Sequence, residues 1–93
     1  MHDYMARIEQ AVKGNVAVGD TYVLGIIEVE VTEREDYWER MYYVAWCNEK
    51  ECGTHRVSID SKGRAALFYG TYMMAEDEAL ADMIERSNKA DLR

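Results

Sequence analysis

Proline is absent from this 93-residue chain, so no residue forces a break in a helix or a central strand. Bases are scarce. Eleven Lys and Arg stand against eighteen Asp and Glu, for a formal net charge of -7. That balance repels nucleic acid and anionic membrane and favours basic partners. Two cysteines are too few for a disulfide framework. No apolar run approaches the ~20 residues of a membrane span. The N-terminus, Met1-His2-Asp3-Tyr4, lacks the basic-then-apolar pattern of a secretion signal. There is no glycine-rich phosphate loop, no H-E-x-x-H and no nucleophile elbow. These absences lead to the expectation of a soluble cytoplasmic protein that is not an enzyme and uses no cofactor, touching neither membrane nor nucleic acid directly.

What is present is a globular pattern. Apolar residues make up 48% of the chain, which separates it from disordered acidic tails, and its length suits one domain over residues 1–93. Tyr4, Met5, Ile8, Ala11 and Val12 recur on one helical face, predicting a helix over 3–13 with Asp3 as N-cap and Gly14-Asn15 as stop. Alternation and β-rich composition predict strands over 21–32, 40–47, 53–60 and 64–73. In the first, Val23, Ile27, Val29 and Val31 share a side, Glu28 and Glu30 take the other, and Gly25 marks a weak point or a bulge. Residues 33–39 read as a charged connection, Asn48–Glu51 as a hairpin loop, and Asp60–Gly63 as a tight turn.

A helix over 75–88 follows, with Ala79, Leu80, Met83 and Ile84 inward and an acidic first turn that suits its dipole. The fold class is therefore α+β: a four-stranded antiparallel meander with an N-terminal and a C-terminal helix on one face, in the order α-β-β-β-β-α. The expected core is Ile8, Ile27, Val29, Val57, Ile59, Leu67, Leu80 and Ile84.

Eleven of the eighteen carboxylates fall in two windows: Glu28, Glu30, Glu33, Glu35, Asp36 and Glu39, then Glu76, Asp77, Glu78, Asp82 and Glu85. Solvation and helix capping explain such runs in many proteins. A dense carboxylate array also imitates the phosphate backbone and fits basic clefts built to hold it. On that reading the partner-binding residues are Glu28, Glu30, Glu33, Glu35, Asp36 and Glu39, with Tyr37 and Trp38 as anchors.

Seven tyrosines and two tryptophans offer another route. With helices on one face only, either Tyr42 and Trp46 or Tyr43 is left partly exposed, and Tyr and Trp are enriched at interfaces. Cys47, Cys52 and His55 have the spacing C-x4-C-x2-H. Zinc is the alternative reading, but a fourth ligand is missing. Two ordinary thiols are expected, ahead of a cross-strand disulfide.

No stretch carries a family motif that transfers residue by residue. In size, charge and class the chain is similar in build to small phage-encoded inhibitors of bacterial defence. Such inhibitors block CRISPR effectors or restriction enzymes through their basic nucleic-acid channels. That similarity is an analogy of build, and it implies a protein partner with a basic surface. An adaptor domain binding a host protein through an aromatic sheet face is the second expectation. A homodimer through an exposed edge strand is a further one.

Overall fold

The computed structural model describes residues 4–91, with side chains through Lys89. The elements are α1 Tyr4–Val16, β1 Tyr22–Arg34, β2 Tyr37–Cys47, β3 Cys52–Asp60, β4 Ala65–Met74 and α2 Glu76–Asp91. The four strands form one antiparallel sheet in sequence order. The α+β class and the expected order hold. The proposed N-cap, Asp3, lies outside the described residues.

The placement of the helices differs from expectation. They cover opposite faces of the sheet, not one. Ile8 and Val12 of α1 pack on Tyr42, Val44, Trp46, Val57 and Ile59. Ala79 and Met83 of α2 pack on Tyr43 and Ala45. The cause lies in β2, where Met41–Cys47 is one unbroken apolar run. A strand apolar on both sides needs cover on both sides.

Two bulges re-sort β1. The pairing slips between Val23 and Gly25 and again between Glu28 and Glu30, and each one-residue slip turns the following side chains over. Val23 and Ile26 therefore join the α1 face, while Leu24, Ile27 and Val29 join the α2 face. At Gly25 an added Cβ would stand 3.0 Å from Met83 Cε, so the missing side chain lets α2 approach the strand.

Three boundaries also move. Residues 33–39 are not a loop, because β1 runs to Arg34 and β2 starts at Tyr37, with Glu35-Asp36 as the turn. Tyr37 and Trp38 favour strand geometry and extend the ladder. Gly14-Asn15 does not stop α1. The helix continues to Val16, whose carbonyl accepts from Asn48 Nδ2 at 2.7 Å, and the left-handed residue comes at Gly19, φ 63°. On α2, Ile84 is 49% exposed. The inward stripe is Ala79, Met83 and Ser87, with Leu80 half-buried.

β4 is an irregular edge. Tyr69-Gly70 and Tyr72-Met73 are each inserted opposite a single β3 residue, His55 and Gly53. Tyr69 and Met73 adopt φ of 54° and 60°, where bulky L residues are rare.

Candidate interaction surfaces

The first acidic window is a split set of carboxylates, not a row. Glu28 lies across from Tyr42 on the α1 face, and both its oxygens accept from Arg40 Nη1, at 3.2 and 2.9 Å. The Arg40 guanidinium also stacks 4.5 Å from the Tyr4 ring. Glu30, across the second bulge, pairs on the other face with Arg56 Nη2 at 3.6 Å. Arg56 is held near the rings of Tyr43 and Phe68, and its Nε has no hydrogen-bond partner. Glu28 and Glu30 thus carry compensated charge. Glu33, Glu35 and Asp36 at the hairpin end are exposed and form no ion pair among the described residues.

Behind that turn the structure is fastened. The Tyr37 hydroxyl lies 3.3 Å from both Glu39 Oε2 and Asp60 Oδ2. Burial, then the charges of Asp60 and Glu39, hold the phenol above its ordinary pKa. Trp38 meets the Tyr4 ring edge-on at 5.4 Å. Both aromatics are half-buried and already engaged, so they brace the hairpin from inside. Asp60 accepts from the Lys62 and Arg64 backbone N–H groups, each at 3.0 Å, and from Arg64 Nε at 2.8 Å. Burial opposes its ionisation, yet these donors outweigh it and hold the carboxyl below its usual range. Its role is the structural one expected at the head of a turn.

The second window lies elsewhere. The hairpin turn joins Arg34 to Tyr37, whereas α2 begins beside Met74, which pairs with Cys52 at the other end of the sheet. Glu78 Oε1 accepts the Ala75 N–H at 3.1 Å, and Asp77 Oδ1 accepts the Glu78 N–H at 3.0 Å, so these two carboxylates cap the helix. Glu85 pairs with Lys89. Asp82 is half-buried and engaged: its Oδ2 accepts from Thr54 Oγ1 at 2.5 Å and Thr71 Oγ1 at 3.1 Å. The two threonine hydroxyls also lie within hydrogen-bonding distance of each other, and with one proton apiece they divide their donation between the carboxylate and this contact. Arg86 donates to Thr54 at 3.0 Å while its guanidinium lies 4.8 Å from the Tyr43 ring. This network ties α2 to β3 and β4. Its only sequence signal was the i,i+4 pair Asp82–Arg86.

The zinc alternative is overturned. Cys47 and Cys52 are cross-strand partners with Cα atoms 4.0 Å apart, and they form a disulfide. The expectation of two free thiols is corrected with it. The cause is the register of the Asn48–Glu51 loop, which sets the two cysteines directly opposite. Trp46 Nε1 donates to His55 Nδ1 at 2.9 Å, leaving the His55 proton on Nε2, which faces the Tyr72 hydroxyl at 3.0 Å. Burial, then the nearby Arg86 charge, lowers the His55 pKa from its ordinary 6.5. This is a satisfied core histidine with no lone pair for a metal.

The aromatic sheet face is also spoken for. Tyr42, Tyr43 and Trp46 are buried, under α1 for the first and last and under α2 for Tyr43. The surface that the adaptor expectation required is therefore core. The exposed aromatics are others, Tyr22, Tyr69 and Tyr72. They were missed because nothing in an alternating pattern tells a bulged edge strand from a regular one.

No protein family matches the chain, and no curated protein or solved structure is significantly similar to it. No helix among the described residues is long and apolar enough to cross a membrane.

Proposed function

We propose that this chain is a small acidic binding protein, without catalysis of its own, that blocks a basic nucleic-acid-binding surface of a protein partner. It does so by offering carboxylates where phosphates would sit. The observation that carries this reading is the trio Glu33, Glu35 and Asp36, exposed and unpaired at one braced hairpin. The turn thus concentrates three exposed carboxylates outside any ion pair among the described residues, the kind of charge a phosphate-binding cleft is built to hold. The bracing from Tyr37, Trp38 and Asp60 means little order has to be gained on binding.

The setting we propose is a phage-encoded inhibitor of a bacterial defence effector of the CRISPR or restriction type, acting in the host cytoplasm. Disulfides are uncommon in that compartment. Alkylating thiols in freshly broken cells tests the point. Free thiols at Cys47 and Cys52 in that assay fit a cytoplasmic protein whose Cys47–Cys52 disulfide closes only on oxidation, and protected thiols place the chain in an oxidising compartment and overturn this setting.

The functional test is charge reversal. Converting Glu33, Glu35 and Asp36 to lysine together should abolish partner binding and competition with nucleic acid, and binding by the parent should weaken as salt rises. Glu28→Gln, at a carboxylate already neutralised by Arg40, is the control and should change binding little. A triple variant that folds and binds as tightly as the parent would sink the proposal.

A further inference from the structure

The end of the sheet farthest from the Glu35-Asp36 turn carries an arrangement that charge mimicry leaves unused. The last bulge of β4 sets Met73 at φ 60°, and its N–H is held there by Glu51 Oε1 at 2.7 Å. Glycine would take this backbone geometry without strain. The chain instead carries methionine, a flexible and polarisable side chain suited to adaptable contacts, and 88% of it is exposed. Strained backbone that displays an apolar side chain to solvent points towards a site. Tyr72, 52% exposed, and Val18, 47% exposed, lie nearby.

Glu51, half-buried, lines two recesses. One, of about 210 Å³, also has walls from Val18 and Tyr72. The other, of about 420 Å³, has walls from Lys50, Met73 and Met74. The Glu51 carboxylate therefore sits between two openings, rimmed by apolar side chains.

Charge favours a cation here, although Asp77 and Glu78 also cap α2 and Lys50 borders the larger recess. Glu49 and Glu51 on the loop and Glu76, Asp77 and Glu78 after β4 stand against Lys50 alone among residues 48–51 and 74–80. The C-terminus of α1, with its partial negative charge, borders the smaller recess. An arginine fits the smaller recess, where its plane stacks on Tyr72 and its cation meets the Glu51 carboxylate, while an apolar neighbour of that arginine packs on Met73 at the larger one. We propose that Val18, Glu51, Tyr72 and Met73 form an anchoring site for an arginine flanked by apolar residues on a protein partner. The site stands independently of the Glu33–Asp36 reading.

The test is a titration of the isotope-labelled full chain, followed by amide NMR shifts in about 0.15 M salt. The probe is the capped peptide acetyl-Gly-Leu-Arg-Leu-Gly-amide, with a glutamine-for-arginine counterpart. The expected result is saturable shifts at Val18, Glu51, Tyr72 and Met73, with the glutamine peptide about tenfold weaker. Glu51→Gln, which keeps an oxygen for the Met73 N–H, should weaken binding several-fold. Met73→Gly should weaken it too while leaving Tm unchanged or raised, because glycine relieves the left-handed strain. A purely structural Met73 would lower Tm instead, and that result overturns the proposal. So do shifts confined to Glu33, Glu35 and Asp36, which would signal diffuse charge attraction. So does a dimer of the free chain that Met73→Gly dissociates, since the surface would then belong to a second copy.

Discussion

The two faces of the sheet are held in different ways. Under α1, seven buried residues from Ile8 to Ile59 form a continuous apolar core, and the buried imidazole beside it, His55, is capped by Trp46 and Tyr72. Under α2 the apolar cluster is smaller, and alanines at 45 and 79 take up much of it. There, Thr54, Thr71, Asp82 and Arg86 supply what the small side chains do not. The first face is fastened by area removed from water, and the second by hydrogen bonds whose partners must all be present. Substitutions should therefore fail differently on each.

The largest effect is expected on the apolar face. Ile59→Ala should lower stability by about 3 kcal/mol through lost burial and the cavity left behind, read as a fall in the denaturant midpoint at unchanged slope. On the polar face, Thr54→Val keeps the volume and deletes the hydroxyl. Arg86 loses an acceptor and Asp82 a donor, for about 1–3 kcal/mol. If Thr54→Val is neutral, the network is incidental and the contrast between faces collapses.

The pH response sharpens the same contrast. Well above pH 6.5 His55 is neutral in both folded and unfolded chains, so it contributes no slope there. Its folded pKa lies below the ordinary 6.5, because burial, and then Arg86, disfavour the cation. As pH falls below 6.5 the unfolded chain takes up the proton first, and stability declines until the folded form protonates as well. Below that, the depressed Asp60 carboxyl continues the loss through the carboxylate range. Melting curves across acidic pH should show the first step in the parent and lose it in His55→Gln. The smallest effect is expected at Ile84. Its side chain lies off the α2 stripe, so Ile84→Ala should stay within about 0.5 kcal/mol. A larger loss would mean that α2 sits rotated from the orientation described.

Much of this architecture was legible in the residues. The helix and strand periods, the Asp60–Gly63 turn and the Asn48–Glu51 loop set the element order. The two-sided cover was written in Met41–Cys47, but strands alternating around polar positions, such as 53–60, argued for one open face. Gly25 advertised the first bulge of β1. The second, at Val29, has no marker, and it is the one that separates Glu28 from Glu30 and breaks the carboxylate row. The disulfide depended on register, which C-x4-C spacing alone does not specify. Met73 drew no notice because its left-handed backbone follows from a bulge, and methionine is no signal for one.

The strand order has a further consequence for how the chain reaches this structure. Each strand pairs only with its neighbour in sequence, so the sheet closes short loops and pays little loop entropy. The β2–β3 hairpin, whose ends meet at Cys47 and Cys52, is the natural place to begin. Its neighbours can then add outward one at a time. The exception is α1, whose partners on β2 and β3 are made much later in the chain, so it is expected to dock last. Rate measurements on Ile8→Ala and Val44→Ala test that order: truncation at Ile8 should chiefly speed unfolding, and truncation at Val44 should also slow folding.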